Sequence, residues 1–173
     1  MEGCIRALLF ILVNVESKPM VVLRKKLPGV SERALSRFLS RAEQAVGLSG
    51  EVNVLITTSR EVRALNRRYR GKDKATDVLS FPPLPTLADD FAGDVAISAD
   101  IAAENSRALG HAASDELKIL MLHGVIHLAG YDHETDGGQM ARKEDRLRRR
   151  LGLPGSLIAR NGNAPPRRSR NGR

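Results

Sequence analysis

The segment SDELKILMLHGVIHLAG, residues 114 to 130, is the strongest helix signal in the chain and fixes where its chemistry can sit. Ser114 is placed to cap it, Asp115 and Glu116 fall in the first turn, where the helix dipole favours anions, and Gly130 is placed to end it. His123 and His127 are four residues apart, so a helix projects both imidazoles from one face, one turn above the other. Gly130 can take the left-handed conformation that turns the chain back and brings His133 toward the first two. Three histidines around one cation, with a fourth position left for water or substrate, is the pattern of a catalytic rather than a structural zinc site.

These are three of the chain's four histidines. A lone histidine near a helix end is most simply a packing residue, but three at these intervals, astride a helix and its glycine stop, point to metal binding. His111 lies outside the pattern, in a loop, and reads as an ordinary surface residue. The spacing H-x-x-x-H-x-x-G-x-x-H is also that of the metzincin proteases, whose mechanism relies on a glutamate directly after the first histidine. Gly124 occupies that position here and carries no proton-accepting group, which disfavours peptide hydrolysis.

With 173 residues, 42% of them hydrophobic, the chain suits one folded domain. Aromatic residues make up 3% and tryptophan is absent, so an extended base-stacking surface is disfavoured. Cys4 is the sole cysteine, which excludes an internal disulfide and a cysteine-rich zinc ribbon and favours a reducing, cytoplasmic setting. The apolar run ALLFILV, residues 7 to 13, is far short of the ~20 residues that span a bilayer. It also lacks the flanks of a signal peptide, so neither membrane insertion nor secretion is expected.

All twenty acidic residues precede Pro154, where they face twenty-three basic ones; Arg160, Arg167, Arg168, Arg170 and Arg173 follow it. A body near +3 with a tail of +5 fits a polyanionic partner or, equally, a solubilising tail.

Amphipathic periodicity predicts a helix over 31–47, with Leu35, Phe38, Leu39, Ala42 and Val46 on one face, Ser31 as cap and Gly47 as stop. EVNVLIT reads as a strand with Val52, Val54 and Ile56 on one side. Thr58 and Glu61 have capping-box spacing for a helix that Gly71 closes. VVLRKK after Met20, TDVLSF and GDVAIS are further strands; helices follow at about 98–109 and 136–151, the last with Met140, Leu147 and Leu151 inward. PPLPTLADDFAG is a loop by its prolines and a candidate flap. Residues 154–173 are expected to be a disordered basic tail, and residues 1–19 an N-terminal extension to a domain at 20–153.

At HGVIHLAGYDH, residues 123 to 133, the sequence resembles the YbeY family of bacterial ribosomal RNA maturation factors. LNRRYRGKDKATDVLSFP, residues 65 to 82, and GDVAIS, residues 93 to 98, are similar to two further blocks of that family. The resemblance implies an α/β (α+β) fold: a small mixed four-stranded sheet flanked by helices, with the histidine-bearing helix at a cleft. It implies a zinc-dependent endoribonuclease, one ion per chain, that cuts single-stranded RNA and works with the small ribosomal subunit and its proteins in processing the 3′ end of ribosomal RNA, ribosome biogenesis and quality control. Carried onto this sequence, the metal ligands are His123, His127 and His133, and the catalytic residues are Arg70 and His123. A zinc ion lowers the pKa of bound water to roughly 7, which makes Gly124 tolerable, and Arg70 suits a phosphate in which charge grows.

Around this set, Asp132 can orient a histidine or satisfy turn amides, and Asp77 and Asp94 can support the site or act as caps, capping being the simpler role. Tyr131 is expected to pack beside the helix end. Arg142, Lys143, Arg146, Arg148, Arg149 and Arg150 form the basic outer face of the last helix, a reasonable backbone-binding surface. The alternatives are a non-catalytic assembly factor of the small subunit with a structural metal and, less favoured, a metzincin-like protease without its glutamate.

Overall fold

The computed structural model describes residues 20–83 and 91–154. The N-terminal extension, the basic tail and most of the proline-rich flap therefore lie outside the described residues. Among the described residues, four strands and five helices follow in the order β1 (Met20–Leu23), α1 (Glu32–Val46), β2 (Glu51–Thr57), α2 (Ser59–Arg70), β3 (Val78–Phe81), β4 (Phe91–Ser98), α3 (Ala99–Leu109), α4 (Ala113–Leu128) and α5 (Gln139–Leu151). The sheet has the order β1-β2-β4-β3. β1, β2 and β4 are parallel, with Val21 opposite Val54 and Val54 opposite Val95. β3 runs antiparallel on β4, with Ser80 opposite Val95. This is the α/β fold with a small mixed sheet that the resemblance implied.

Local signals set the ends of the first three helices. Ser31, Thr58 and Ser98 each accept a hydrogen bond from the backbone N–H three residues on, and Gly47, Gly71 and Gly110 end the same helices in the left-handed region. The Glu61 carboxylate does not complete a capping box. It accepts from the Thr57 hydroxyl and pairs with Arg24 at 3.6 Å instead. β1 is shorter than VVLRKK: after Leu23, the N–H groups of Arg24 and Lys25 both turn onto the Ile56 carbonyl, and Lys25 leaves the sheet to pair with Asp100.

β2 and β4 are covered on both faces, so the simple alternation read for β2 does not hold: Leu55 and Thr57 are as buried as Val54 and Ile56. On one face Val52, Val54, Ile56, Val95 and Ile97 join a core with α1, α4 and α5. On the other, Val62 and Leu65 of α2 close over Leu79, Phe81 and Ala96. A parallel sheet covered in this way reads as a continuous apolar run.

α4 is the centre of the molecule. Leu117, Ile119, Leu120, Met121, Leu122, Val125 and Ile126 are all fully buried, so the helix is apolar all round and packs against α1, α3, α5, β3 and β4. Each such side chain contributes about 1.5–3 kcal/mol. Ser114 is not its cap. The helix starts two residues earlier, at Ala113; Ala112 holds the N-cap position without a side-chain hydrogen bond, and the buried Glu116 of the first turn instead accepts from Asn105 Nδ2 at 3.1 Å and pairs with His111 Nε2 at 2.7 Å. His111 is therefore a largely buried partner of α4, not a surface residue: its side chain is 13% exposed because an uncompensated carboxylate would otherwise sit in the interior.

Asp94 is also buried, at 3% exposure, in the middle of β4, where it accepts from Asn53 Nδ2 at 3.2 Å. It caps nothing, unlike Asp77, whose Oδ1 accepts from Val78 N and the Thr76 hydroxyl. Burial pushes the Asp94 carboxyl up to about 6, against the pull of Asn53. Folding thus favours the protonated form; that stability is fully present below the ordinary carboxylate range and lost as pH rises through about 6. Asp94→Asn should consequently stabilise the protein at about pH 8 by up to about 3 kcal/mol and have little effect near pH 4. Denaturant melts at both pH values that show the same difference would contradict this.

Candidate metal centre

Three local devices assemble the histidines. α4 carries His123 and His127 on one face; Gly130, at φ 86°, reverses the chain, with its N–H on the His127 carbonyl at 2.9 Å; and the turn that follows returns His133. The ring centroids lie 4.7 Å (His123–His127), 5.5 Å (His123–His133) and 5.3 Å (His127–His133) apart. One nitrogen from each lies within 4.8 Å of the others, a group that can hold a metal ion.

His123 is buried and its other nitrogen is engaged: Nδ1 lies 2.9 Å from Glu144 Oε2, so Nε2 is the atom turned to the centre, 3.1 Å from His127 Nε2. The opposite oxygen of Glu144 accepts from Arg148 Nη1 at 3.0 Å, and Arg148 Nε donates to the Pro154 carbonyl. Burial, then the neighbouring His123 and His133, bring the His127 pKa down to about 4, so its imidazole is neutral at physiological pH. Three imidazoles with a carboxylate behind one of them are a donor set that fits a borderline-soft divalent ion.

Glu144 is absent from the sequence reading, although it had a signal: it shares the inward stripe of α5 with Met140, Leu147 and Leu151, where a carboxylate needs a partner. The same stripe corrects Arg148, which is 1% exposed and not on the outer basic face, because the Glu144 carboxylate compensates its charge inside. α5 also begins at Gln139, later than 136. Asp136 folds back as its cap, Oδ1 accepting from the N–H groups of Gly138 and Gln139, and Oδ2 from Met140.

The position after His123 has a steric reason for being glycine. A Cβ on Gly124 would stand 2.7 Å from Val95 Cγ1 and 3.2 Å from Ser80 Oγ, so a glutamate there cannot be accommodated without moving α4 off the sheet. Ser80 Oγ also donates to the Gly124 carbonyl at 3.2 Å. The protease alternative thus lacks both its glutamate and the room for one.

A cleft of about 350 Å³ opens over the histidines, and Arg70, Lys72, Asp77, Ser80, Asp132 and Glu134 line it with them. Arg70 is the last residue of α2, exposed, and donates from Nη2 to the Ser80 carbonyl at 3.3 Å. The loop after it is pinned by the paired contacts of Arg63 with Asp73 and by Asn66 Nδ2 on the Lys74 carbonyl. Asp132 serves its own turn, accepting from Glu134 N at 3.0 Å, which holds its carboxyl below the ordinary range; His127 and His133 add to that. Tyr131 packs, half-buried, at the end of α4 under Lys143, as expected.

Among known proteins, the family model described as Endoribonuclease YbeY matches residues 13–152. The chain is 59% identical to "Endoribonuclease YbeY" of Koribacter versatilis over 82% of this chain and 91% of that protein. It is 38% identical to the Campylobacter fetus protein of the same name over 83% and 99%. The solution structure of TM1509 from Thermotoga maritima is similar over 76% of this chain and 87% of that one, with 29% identity and a TM-score of 0.52. With the family model covering the sheet, the cleft and all three histidines, the chain belongs to the endoribonuclease YbeY family.

Proposed function

We propose that this protein is a zinc-dependent, single-strand-specific endoribonuclease that acts in the cytoplasm on ribosomal RNA, at the 3′ end of the small-subunit RNA, in company with the small ribosomal subunit and its proteins. The observation that carries this reading is that one cleft is lined by both a three-histidine cluster and the side chains of Arg70 and Lys72. In this reading His123, His127 and His133 hold one zinc ion per chain, and His123 and Arg70 are the catalytic residues.

A zinc ion at such a site supplies Lewis acidity toward phosphodiester oxygens and lowers the pKa of a water molecule, which makes a neighbouring carboxylate dispensable. The chain's own residues do the rest. Glu144 accepts the Nδ1 proton of His123 and keeps its Nε2 lone pair aimed into the cleft. The end of α2 and the pinned loop after it carry Arg70 and Lys72 into the lining of the cleft, where a guanidinium can bind a phosphate through two parallel hydrogen bonds and stabilise the charge that grows as the bond breaks. The cleft's polar rim and scarcity of aromatic residues suit recognition of a backbone rather than a base.

Arg70→Ala should lower the cleavage rate of a single-stranded ribosomal RNA fragment by about 10²–10³-fold, while RNA binding and the melting temperature change little. Gel-based cleavage and binding titrations on the same preparation check this. Weakened binding with no cleavage in either protein would favour the non-catalytic assembly factor.

A further inference from the structure

α5 carries six cations, and the structure sorts them. Arg148 is buried against Glu144, and Arg149 pairs with Asp145 at 2.8 Å. The other four, Arg142, Lys143, Arg146 and Arg150, line one groove of about 490 Å³ with Tyr131 in its wall; among the described residues no carboxylate lines it. Arg142, Arg146 and Arg150 are exposed and stand at intervals of four, so they form a row inclined to the helix axis that rises about 6 Å at each step, close to the phosphate spacing of an extended strand. Lys143 is fixed in place: its Nζ donates to the Val46 carbonyl at 3.1 Å and to Tyr131 Oη at 3.3 Å, and lies 4.5 Å from the centre of the Tyr131 ring.

The groove and the metal cleft are neighbours. Tyr131 lines the groove, and the residues that follow it, Asp132 and His133, line the cleft. We infer that the α5 groove is a second RNA subsite, which grips the phosphate backbone of the single strand where it runs past the cleavage centre, with Arg142, Arg146 and Arg150 on successive phosphates. This rests on the reading of the cleft as an RNA-cleaving site. A row of guanidiniums at even spacing, in a groove that no carboxylate of the described residues lines, matches a polyphosphate chain rather than the irregular charges of an acidic protein surface.

The test compares the full-length, zinc-loaded protein with Arg146→Gln/Arg150→Gln and with a control of equal charge change, Arg33→Gln/Arg60→Gln, whose exposed side chains line neither groove nor cleft. Affinity for single-stranded RNA of roughly 5 and roughly 20 nucleotides is read by anisotropy over a range of salt, before cleavage proceeds, and folding is checked by thermal melts. The groove variant should bind the longer RNA roughly tenfold more weakly, with a salt slope shallower by about 1.4, two phosphates at about 0.7 each. It should also lose the gain in affinity that the wild type shows on lengthening the strand. An equal loss in both double variants, or no loss in the groove variant, would overturn the subsite while leaving the cleavage centre standing. A wild-type protein that binds no RNA would overturn both.

Discussion

Replacing His127 with alanine should abolish metal uptake and RNA cleavage together, the rate falling by more than about a thousandfold, while the protein remains folded. The ring is half-buried at the last turn of α4, lines the cleft and packs against the rings of His123 and His133. Its loss removes one of three nitrogens, and two imidazoles fall short of the three protein ligands a catalytic zinc site requires. Because burial and the adjacent histidines hold its pKa near 4, His127 offers its lone pair without competition from a proton at neutral pH. Zinc content per chain, measured beside the cleavage rate, checks the prediction. A variant that retained one tightly held zinc would remove His127 from the ligand set.

Glu144→Ala should be the most destabilising single change at the site, at about 3–5 kcal/mol, and should also weaken zinc binding by about 10–100-fold. Its carboxylate is fully buried between His123 Nδ1 and Arg148 Nη1, so truncation takes the negative charge from beside a buried guanidinium and releases the ring that the metal needs fixed. Glu144→Gln preserves the volume and one acceptor oxygen, so it separates the two effects: the core stays filled, but the charge facing Arg148 is lost. Denaturant unfolding with and without zinc measures both. Equal stability of the metal-free alanine variant and wild type, with equal zinc affinity, would show that the His123–Glu144–Arg148 chain is incidental.

These two residues also mark what a sequence reveals and what it hides. Helix ends set by adjacent residues were legible: Ser31 with Gly47 and Thr58 with Gly71 act where their local chemistry places them. The three histidines were legible because one helix turn and one glycine stop are enough to bring them together. Ser114 misled because the start of α4 is governed by a contact with the preceding loop and helix, the meeting of Glu116 with His111 and Asn105, which periodicity does not carry. Arg148 was hidden for a similar reason. Read as part of a basic outer face, it is turned inward by the packing of α5 on α4, onto a Glu144 whose place on the apolar stripe was the available signal. Gly124 reads along the chain as a missing catalytic glutamate; in three dimensions it is a position where a Cβ would crowd Val95 of β4.

The central claim is that the histidine cleft is a zinc-dependent nuclease centre. The most direct measurement is cleavage of a single-stranded fragment from the 3′ end of small-subunit ribosomal RNA by metal-stripped protein before and after zinc is restored, with Arg70→Ala prepared identically to exclude a contaminating nuclease. The account predicts no cleavage by the stripped protein, recovery with one zinc per chain, and little cleavage by the variant in either state. Cleavage that is indifferent to zinc, or equal in wild type and Arg70→Ala, would contradict it.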